Sequence, residues 1–238
     1  MIPKIIHYCW FGKKEIPEKH VQYISRWREI FEGYQIIMWN EDNSPMDLPY
    51  MHAAYENKKW ANLSNFTRLW AIAGHGGIYL DTDIEVLKTF DSLLSNNCFV
   101  GFEDIHVDWD GCINNAVIGA VPGHPFIIEM KDRLLREFNG LEAAHLSSPN
   151  FTTKLLKEKG LREYKDQYID DVHILPIEFF YPYSWHQKLT PQCVKSDTFC
   201  IHHFARSWGD DLPKETNNSI LFAFLTKVNN KLMTIFMK

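Results

Sequence analysis

The stretch LSNFTRLWAIAGHGGIYLDTDIE, residues 63–85, decides the fold. Apolar residues recur at helical spacing between Trp60 and Ala73, and the glycines at positions 74, 76 and 77 end that helix. The apolar run Ile78–Leu80 follows and leads directly into Asp81-Thr82-Asp83. The stretch therefore predicts a helix, a buried strand and an acidic turn at the strand's carboxyl end, where open α/β sheets bind ligands.

The N-terminal part shows the same alternation of strands and helices. Ile5–Trp10 and Tyr34–Trp39 have the composition of strands, and residues 17–31 between them carry apolar side chains at helical spacing. This order predicts a βαβ unit with parallel strands. Further strands are predicted at 98–102, 115–121, 172–175 and 199–204, and further helices at 125–138 and 151–158. Because no linker or repeat interrupts the chain, we predict one α/β domain over residues 1–210.

Composition excludes several classes of protein. The 238 residues include 45% hydrophobic side chains, too many for a disordered chain, and 25 basic against 30 acidic residues give a net charge of −5. That charge argues against nucleic acid as a partner. Five scattered cysteines without a C-x-x-C pair predict reduced thiols, and no apolar run approaches the ~20 residues of a membrane span. We expect a cytoplasmic protein.

The C-terminal tail, residues 211–238, has a basic amphipathic pattern. Its apolar residues from Leu221 to Ile235 share one helical face, and Lys227, Lys231 and Lys238 share another. Two alternatives fit this pattern: a terminal helix packed on the domain, or peripheral contact with the inner face of the plasma membrane.

The acidic turn has the residues of a metal site. Asp81 and Asp83 are two positions apart at a strand end, so their carboxylates project to one side. Such a pair attracts a hard divalent cation, Mg²⁺ or Mn²⁺. The cation would hold a diphosphate that an acidic protein otherwise repels. A solvated acidic loop is the alternative for a D-x-D pair taken alone.

Other candidate residues flank the turn in the predicted fold. Asn65 and Arg68 lie on one stripe of the preceding helix, from which Arg68 would contact a phosphate or order the acidic loop. Trp10 ends the first strand and offers a flat surface for a base, with ordinary core packing as the alternative. Near the other end, His202-His203 and Ser207-Trp208 combine a further metal ligand with hydrogen-bond donors for phosphate.

Three ordered blocks together resemble a known family. They are Ile2–Gly12 (IPKIIHYCWFG), Leu63–Glu85, and the His202-His203…Ser207-Trp208 ending. These blocks are similar to glycosyltransferase family 32, the sugar-binding region containing the DXD motif, and especially to bacterial members of the capsular polysaccharide type. The resemblance implies a GT-A (Rossmann-like) nucleotide-sugar-binding fold with a mixed, mainly parallel sheet. It also implies a hexosyltransferase that retains configuration and uses Mn²⁺ or Mg²⁺, with a glycan or lipid-linked sugar as acceptor.

The resemblance also implies roles for individual residues. Trp10 would stack on the base, Arg68 would contact the donor, Tyr79 would line its pocket, and Asp81 would bind ribose or donor sugar. Asp83 and His203 would bind the metal. The remaining assignments are Ser207 and Trp208 at the β-phosphate, Asn114 and Asn115 at the donor sugar, and Glu103 and Asp104 at the acceptor entrance. Arg68, Asp81 and Asp83 are therefore the predicted catalytic residues.

One departure from the family pattern concerns Asn65. The family that the chain resembles usually has aspartate there, which in relatives contacts hydroxyls of the donor sugar, so we expect asparagine to alter donor preference or activity. An alternative function is thus a nucleotide-sugar-binding protein of the same fold with weak or no turnover. A phosphatase of the haloacid dehalogenase type fits less well, because Glu85 stands where that motif has threonine or valine. UDP-galactose, UDP-glucose and GDP-mannose all remain open as donors.

Overall fold

The computed structural model describes residues 1–205. Fifteen helices and strands are defined in this part, besides short 3₁₀ turns at 91–93 and 191–193. In chain order they are β1 (Ile5–Cys9), α1 (Glu18–Ile30), β2 (Gln35–Trp39), α2 (Pro49–Glu56), α3 (Trp60–His75), β3 (Gly77–Leu80), β4 (Ile84–Val86), β5 (Cys98–Phe102), β6 (Ile113–Ala120), α4 (Pro125–Glu137), α5 (Pro149–Glu158), β7 (Gln167–Ile169), β8 (Val172–Leu175), α6 (Ile177–Phe180) and β9 (Cys200–His202).

A seven-stranded sheet with the order β2-β1-β3-β6-β5-β8-β7 organises the described chain. β1 pairs in parallel with β2 and β3, as β5 does with β8, whereas β6 and β7 pair antiparallel with their neighbours. Strands β2, β1, β3, β5 and β8 therefore run in one direction, which confirms the predicted α/β fold with a mixed, mainly parallel sheet.

A second, two-stranded ribbon carries the acidic turn. β4 follows the turn and pairs antiparallel with β9, so that Ile84 lies opposite His202 and Val86 opposite Cys200. This pairing brings the end of the described chain next to Asp83. β4 has no counterpart in the sequence-based prediction.

Alternation along the strands separates two apolar cores. In β1 and β3, Cys9 and Tyr79 pack in one core with α2–α5, whereas Ile6, Ile78 and Leu80 pack in the other with α1. Because successive strand residues point to opposite faces, Tyr79 and the residue two positions later, Asp81, both point towards α3. The buried face of α3 is therefore positioned to meet the acidic turn.

Close packing between β1 and β3 depends on a glycine and a histidine. Gly77 has φ +104°, and a β-carbon there would lie 2.6 Å from the carbonyl oxygen of Ile5. His7, fully buried in β1, donates from Nε2 to the Gly76 carbonyl oxygen at 2.7 Å and accepts at Nδ1 from Trp39 Nε1 at 3.0 Å. These two contacts fix His7 as the neutral Nε2–H tautomer.

Most predicted elements are confirmed, with small shifts at their ends. The βαβ unit is present as β1-α1-β2, and the helix predicted from the apolar spacing between Trp60 and Ala73 runs over Trp60–His75. Besides β4, the sequence pattern missed α2, α6 and β7. None of the helices within residues 1–205 has the length and apolar character needed to cross a membrane. The tail 211–238 lies outside the described residues.

Candidate active site at the acidic turn

Asp81 is held by two side chains from its own face of the sheet. Tyr79 donates its hydroxyl hydrogen to Asp81 Oδ1 at 2.8 Å, and Arg68 Nη2 lies 3.2 Å from the same oxygen. The Arg68 guanidinium also stacks 4.4 Å above the Tyr79 ring. Both partners are buried, whereas Asp81 stays partly exposed at the strand end. One carboxylate oxygen is thus fixed, while the carboxylate as a whole stays partly accessible to solvent.

Arg68 links the acidic turn to the neighbouring strand. Its Nη1 donates to the main-chain carbonyl of Asn115 in β6 at 2.7 Å, and its Nε donates to the Ser64 carbonyl at 3.2 Å. Burial, the largest single effect, would lower the pKa of Arg68, but Asp81 together with the surrounding Tyr79, Cys9 and Tyr181 raises it. In the structure Arg68 therefore orders the acidic loop, one of the two roles predicted for it.

Asp83 lies buried beneath the last described residues. Its Oδ2 is 3.4 Å from His202 Nε2 and accepts the Ala205 main-chain N–H at 2.8 Å. Burial by itself would raise the pKa of Asp83, but His202 and the Ala205 N–H outweigh it and hold that pKa well below its usual range. The same ion pair raises the pKa of His202 against the opposing effect of burial. The pair with His202 therefore favours the ionised form of Asp83, and the pair with Asp83 favours the protonated form of His202.

Three of these residues have the arrangement of a metal site. Asp81, Asp83 and His202 offer one ligand atom each, and the three atoms lie within 4.8 Å of one another. Carboxylate oxygens with one imidazole suit Mn²⁺ or Mg²⁺. The Nδ1 atom of His202 is buried and makes no hydrogen bond within residues 1–205. The donor set thus fits the predicted divalent cation.

The histidine next to the aspartates differs from the sequence-based assignment. The resemblance points to His203 as metal ligand, but His203 Nε2 lies 2.8 Å from Glu85 Oε2, and its ring stacks on Tyr23 at 5.0 Å between centroids. Successive residues at the end of β9 point in opposite directions, so His202 faces Asp83 while His203 faces α1. His203 pairs with Glu85 in this structure, and its role as a metal ligand stays a prediction.

Trp10 lies on the same side of the molecule as the acidic turn. Its ring meets His20 edge to face, with centroids 6.3 Å apart, and His20 Nδ1 lies 3.0 Å from Thr82 Oγ1, between the two aspartates. Trp10 also lines an open cleft of about 440 Å³, together with Met38 and Asn40 at the end of β2. Asp81 and Asp83 do not line this cleft, and Trp10 is linked to the turn through His20.

The neighbouring strands contribute amides and a buried carboxylate. Asn115 donates from Nδ2 to Thr152 Oγ1 at 2.7 Å, and its buried Oδ1 has no hydrogen-bond partner among the described residues. Asn114 donates to Glu103 Oε2 at 2.6 Å, which fixes a carboxylate that is 8% exposed. Asp104, in contrast, accepts from His106 at the surface. Asn115 thus leaves a free acceptor close to Arg68.

Asn65 contacts a neighbouring loop rather than open space. Its Nδ2 donates to the Ala144 carbonyl at 2.9 Å and to Ser147 Oγ at 3.1 Å. Ser207 and Trp208, predicted at the β-phosphate, lie outside the described residues. Sequence reasoning missed His20, Tyr23 and Thr152, because their contacts join distant segments. For His20, the helical spacing that aligns it with Tyr23 and Ile24 on the buried face of α1 was an available signal.

A known protein family matches the part of the chain that contains the acidic turn. Residues 17–100 match the family described as "Glycosyltransferase sugar-binding region containing DXD motif". The matched segment contains α1, α3, β3 and the Asp81–Asp83 turn. The sequence-derived resemblance and the geometry therefore converge on the same residues.

Two curated relatives and one solved structure extend the comparison. "Uncharacterized glycosyltransferase L373" of Acanthamoeba polyphaga mimivirus is 24% identical over 220 residues, which cover 89% of this chain and 86% of that protein. "Inositol phosphoceramide mannosyltransferase 3" of Schizosaccharomyces pombe is 29% identical over 140 residues, 57% of this chain but 38% of that protein. The crystal structure of the galactosyltransferase LgtC with donor and acceptor sugar analogs superposes with a TM-score of 0.51.

That structural match covers 94% of this chain and 95% of LgtC at 10% identity, so it supports the fold alone. The fission-yeast enzyme is much longer than the region it shares with this chain. The GT-A fold predicted from the sequence and the predicted enzyme class are both confirmed. Residues 17–100 match the DXD-type sugar-binding region, and the chain is a glycosyltransferase.

Proposed function

We propose that this glycosyltransferase takes a hexose from a nucleotide sugar and transfers it to a hydroxyl group of a glycan or lipid-linked sugar, with a divalent metal ion. The cluster of Asp81, Asp83 and His202 carries this proposal, because it combines two carboxylates with an imidazole at the carboxyl end of a sheet strand. The relative named as an inositol phosphoceramide mannosyltransferase supports hexose transfer and a lipid-linked acceptor.

Asp81, Asp83 and His202 would hold the ion, which when bound neutralises the diphosphate of the donor. Arg68 and Tyr79 keep Asp81 in place for this purpose. Trp10 offers its face to the base at the far end of the donor. The unpartnered Asn115 Oδ1 accepts a hydrogen bond from a sugar hydroxyl, and Ser207 and Trp208 donate to the β-phosphate.

The bond that breaks joins the anomeric carbon to a β-phosphate oxygen, and the new bond joins the same carbon to the acceptor oxygen. Negative charge grows on the departing diphosphate, where fixed hydrogen-bond donors stabilise it. The anomeric carbon acquires oxocarbenium character. With retention of configuration, the acceptor attacks from the side of the leaving group and gives its proton to the departing phosphate. Glu103 and Asp104 would then face the acceptor.

Donor binding tests this proposal most directly. UDP-galactose, UDP-glucose and GDP-mannose are screened by thermal shift with Mn²⁺, with Mg²⁺ and with EDTA. Saturating the site with the correct donor at about 100 times its Kd stabilises the protein by ~2.7 kcal/mol. For a chain of this length that is a rise in Tm of roughly 5–10 °C. We expect EDTA and Asp83→Asn each to abolish the rise.

A matched pair of variants distinguishes the two histidines. His202→Ala should remove the metal-dependent rise in Tm, whereas His203→Ala should lower the basal Tm but keep the rise. Stabilisation that is indifferent to metal in every variant contradicts the proposal.

Turnover distinguishes the transferase from the alternative of a sugar-binding protein. Release of nucleoside diphosphate is measured with each stabilising donor, with and without glycolipid and oligosaccharide acceptors. Donor binding without release under any condition favours the binding protein. If a capsular or other surface polysaccharide is the acceptor that supports release, a role in the synthesis of that polysaccharide follows.

A further inference from the structure

Two asparagines on α3 hold one loop through their side-chain amides. Asn62 Nδ2 donates to the carbonyl oxygens of Gly140 and Glu142, each at 3.0 Å. Asn65, one turn further along the helix, donates to the Ala144 carbonyl at 2.9 Å and to Ser147 Oγ at 3.1 Å. We call Asn62 and Asn65 the amide clamp and residues 140–148 the clamped loop.

One partner of Asn65, the Ala144 carbonyl, requires a donor at this position. A main-chain carbonyl only accepts hydrogen bonds, so the group facing Ala144 must carry hydrogen, as the NH₂ of asparagine does. Aspartate has the same shape but, when ionised, presents acceptor oxygens alone. With Asn65 4% exposed, a carboxylate here would face the Ala144 oxygen with little access to water. Asparagine at position 65 is therefore matched to this loop.

The clamped loop is linked by hydrogen bonds through α5 and β6 to Arg68 in the candidate site. It ends at Ser148, whose carbonyl accepts from Thr152 Oγ1 in the first turns of α5. Thr152 in turn accepts from Asn115, and the Asn115 carbonyl accepts from Arg68. A continuous set of buried hydrogen bonds thus joins the loop to the guanidinium that orders Asp81.

We propose that Asn65 is a positioning residue that holds the clamped loop as a wall of the donor-sugar pocket, and that aspartate at this position weakens donor use instead of improving it. The expected effect on donor use rests on the proposed transferase function. It reverses the expectation that asparagine is a loss relative to the aspartate of the related family. The loop, and not a carboxylate at position 65, then shapes the sugar pocket.

Asn65→Asp is the decisive variant, because two interpretations give opposite results. If Asn65 positions the loop, Asn65→Asp should raise the donor KM at least tenfold while kcat falls less, and speed hydrogen exchange of the amides in residues 140–148. The N–H groups of Gly140, Leu141 and Leu146 are hydrogen-bonded within this region and report the change. If a carboxylate at this position binds the donor sugar, Asn65→Asp should instead lower the donor KM.

Two further variants complete the experiment. Asn57→Asp is the matched control, because exposed Asn57 also donates its amide to a carbonyl, that of Ala53, but at the end of α2. We expect it to leave exchange and KM unchanged. Asn65→Ser retains one hydrogen-bond donor and should fall between wild type and Asn65→Ala in exchange rate, which keeps the test decisive if Asn65→Asp fails to fold.

Hydrogen exchange needs no turnover, so it separates this inference from the proposed function. Faster exchange confined to residues 140–148 in Asn65→Asp or Asn65→Ala supports the clamp even in a protein without transferase activity. Unchanged exchange in these variants, or a lower donor KM in Asn65→Asp, overturns it.

Discussion

Substituting Arg68 by methionine tests the ion pair that supports the acidic turn. Arg68 Nη2 lies 3.2 Å from Asp81 Oδ1, and the two side chains are 6% and 29% exposed. At this separation an effective dielectric of 20 gives a gross attraction of ~5 kcal/mol, before the cost of desolvation. Methionine fills much of the same volume, but it leaves the carbonyls of Ser64 and Asn115 without this donor.

Loss of one partner of a buried pair costs ~3–5 kcal/mol. Because water reaches Asp81, we expect Arg68→Met to lie at the lower end, about 3 kcal/mol. At roughly 2–4 °C per kcal/mol for a chain of this length, its Tm should fall by about 6–12 °C.

A double-mutant cycle isolates the pair. Urea unfolding is measured in EDTA for wild type, Arg68→Met, Asp81→Asn and the double variant. Asp81→Asn removes the charge but keeps an oxygen for the Tyr79 hydroxyl. We expect a coupling energy of about 1.5–3 kcal/mol, within the range for contacting residues. A coupling below ~0.5 kcal/mol would refute the reasoning, because the pair would then not stabilise the turn.

Three other perturbations follow from the same structure. Burial lowers the pKa of His7 to about 4, so the unfolded chain takes up a proton at His7 before the folded protein does as pH falls below 6.5. The free energy of unfolding should therefore keep its full His7 contribution above pH 6.5 and decline by ~3 kcal/mol towards pH 4. Urea unfolding should show a smaller decline over this pH range in His7→Gln. Trp10→Ala should raise the donor Kd in calorimetric titrations by about 5–150-fold, equivalent to the loss of ~1–3 kcal/mol of base stacking. Tyr168 is an exposed aromatic residue at the opposite edge of the sheet, so Tyr168→Ala should leave the donor Kd unchanged. Gly77→Ala should cost ~2–3 kcal/mol through positive φ and its close approach to β1, whereas Gly33→Ala, also at positive φ but with open space around it, should cost less in thermal unfolding.

Long periodic segments explain why much of the fold was predictable. α3 extends over 16 residues with one strongly apolar side, and β3 is apolar throughout, so both stand out in the sequence. α2 has eight residues with little periodicity, and β4 and β7 have three residues each. Such short strands depend on a partner distant in sequence, and composition does not reveal that partner.

The sequence alone does not decide which of two adjacent histidines lies next to the aspartates. His202 and His203 are adjacent and chemically identical, so the sequence places an imidazole near the aspartates without selecting one. The selection depends on the register of β9 against β4, in which Ile84 lies opposite His202. The amide clamp depends in the same way on contacts between α3 and residues about 80 positions later.

The two-stranded ribbon has a consequence for how the enzyme becomes competent. Asp81 and Asp83 precede β4, whereas His202 ends β9, the last strand of the described chain. During synthesis the aspartates leave the ribosome long before the histidine does. A nascent chain that stops short of β9 therefore has the acidic half of the cluster without the imidazole, and the complete set of ligand atoms forms only after the ribbon has paired.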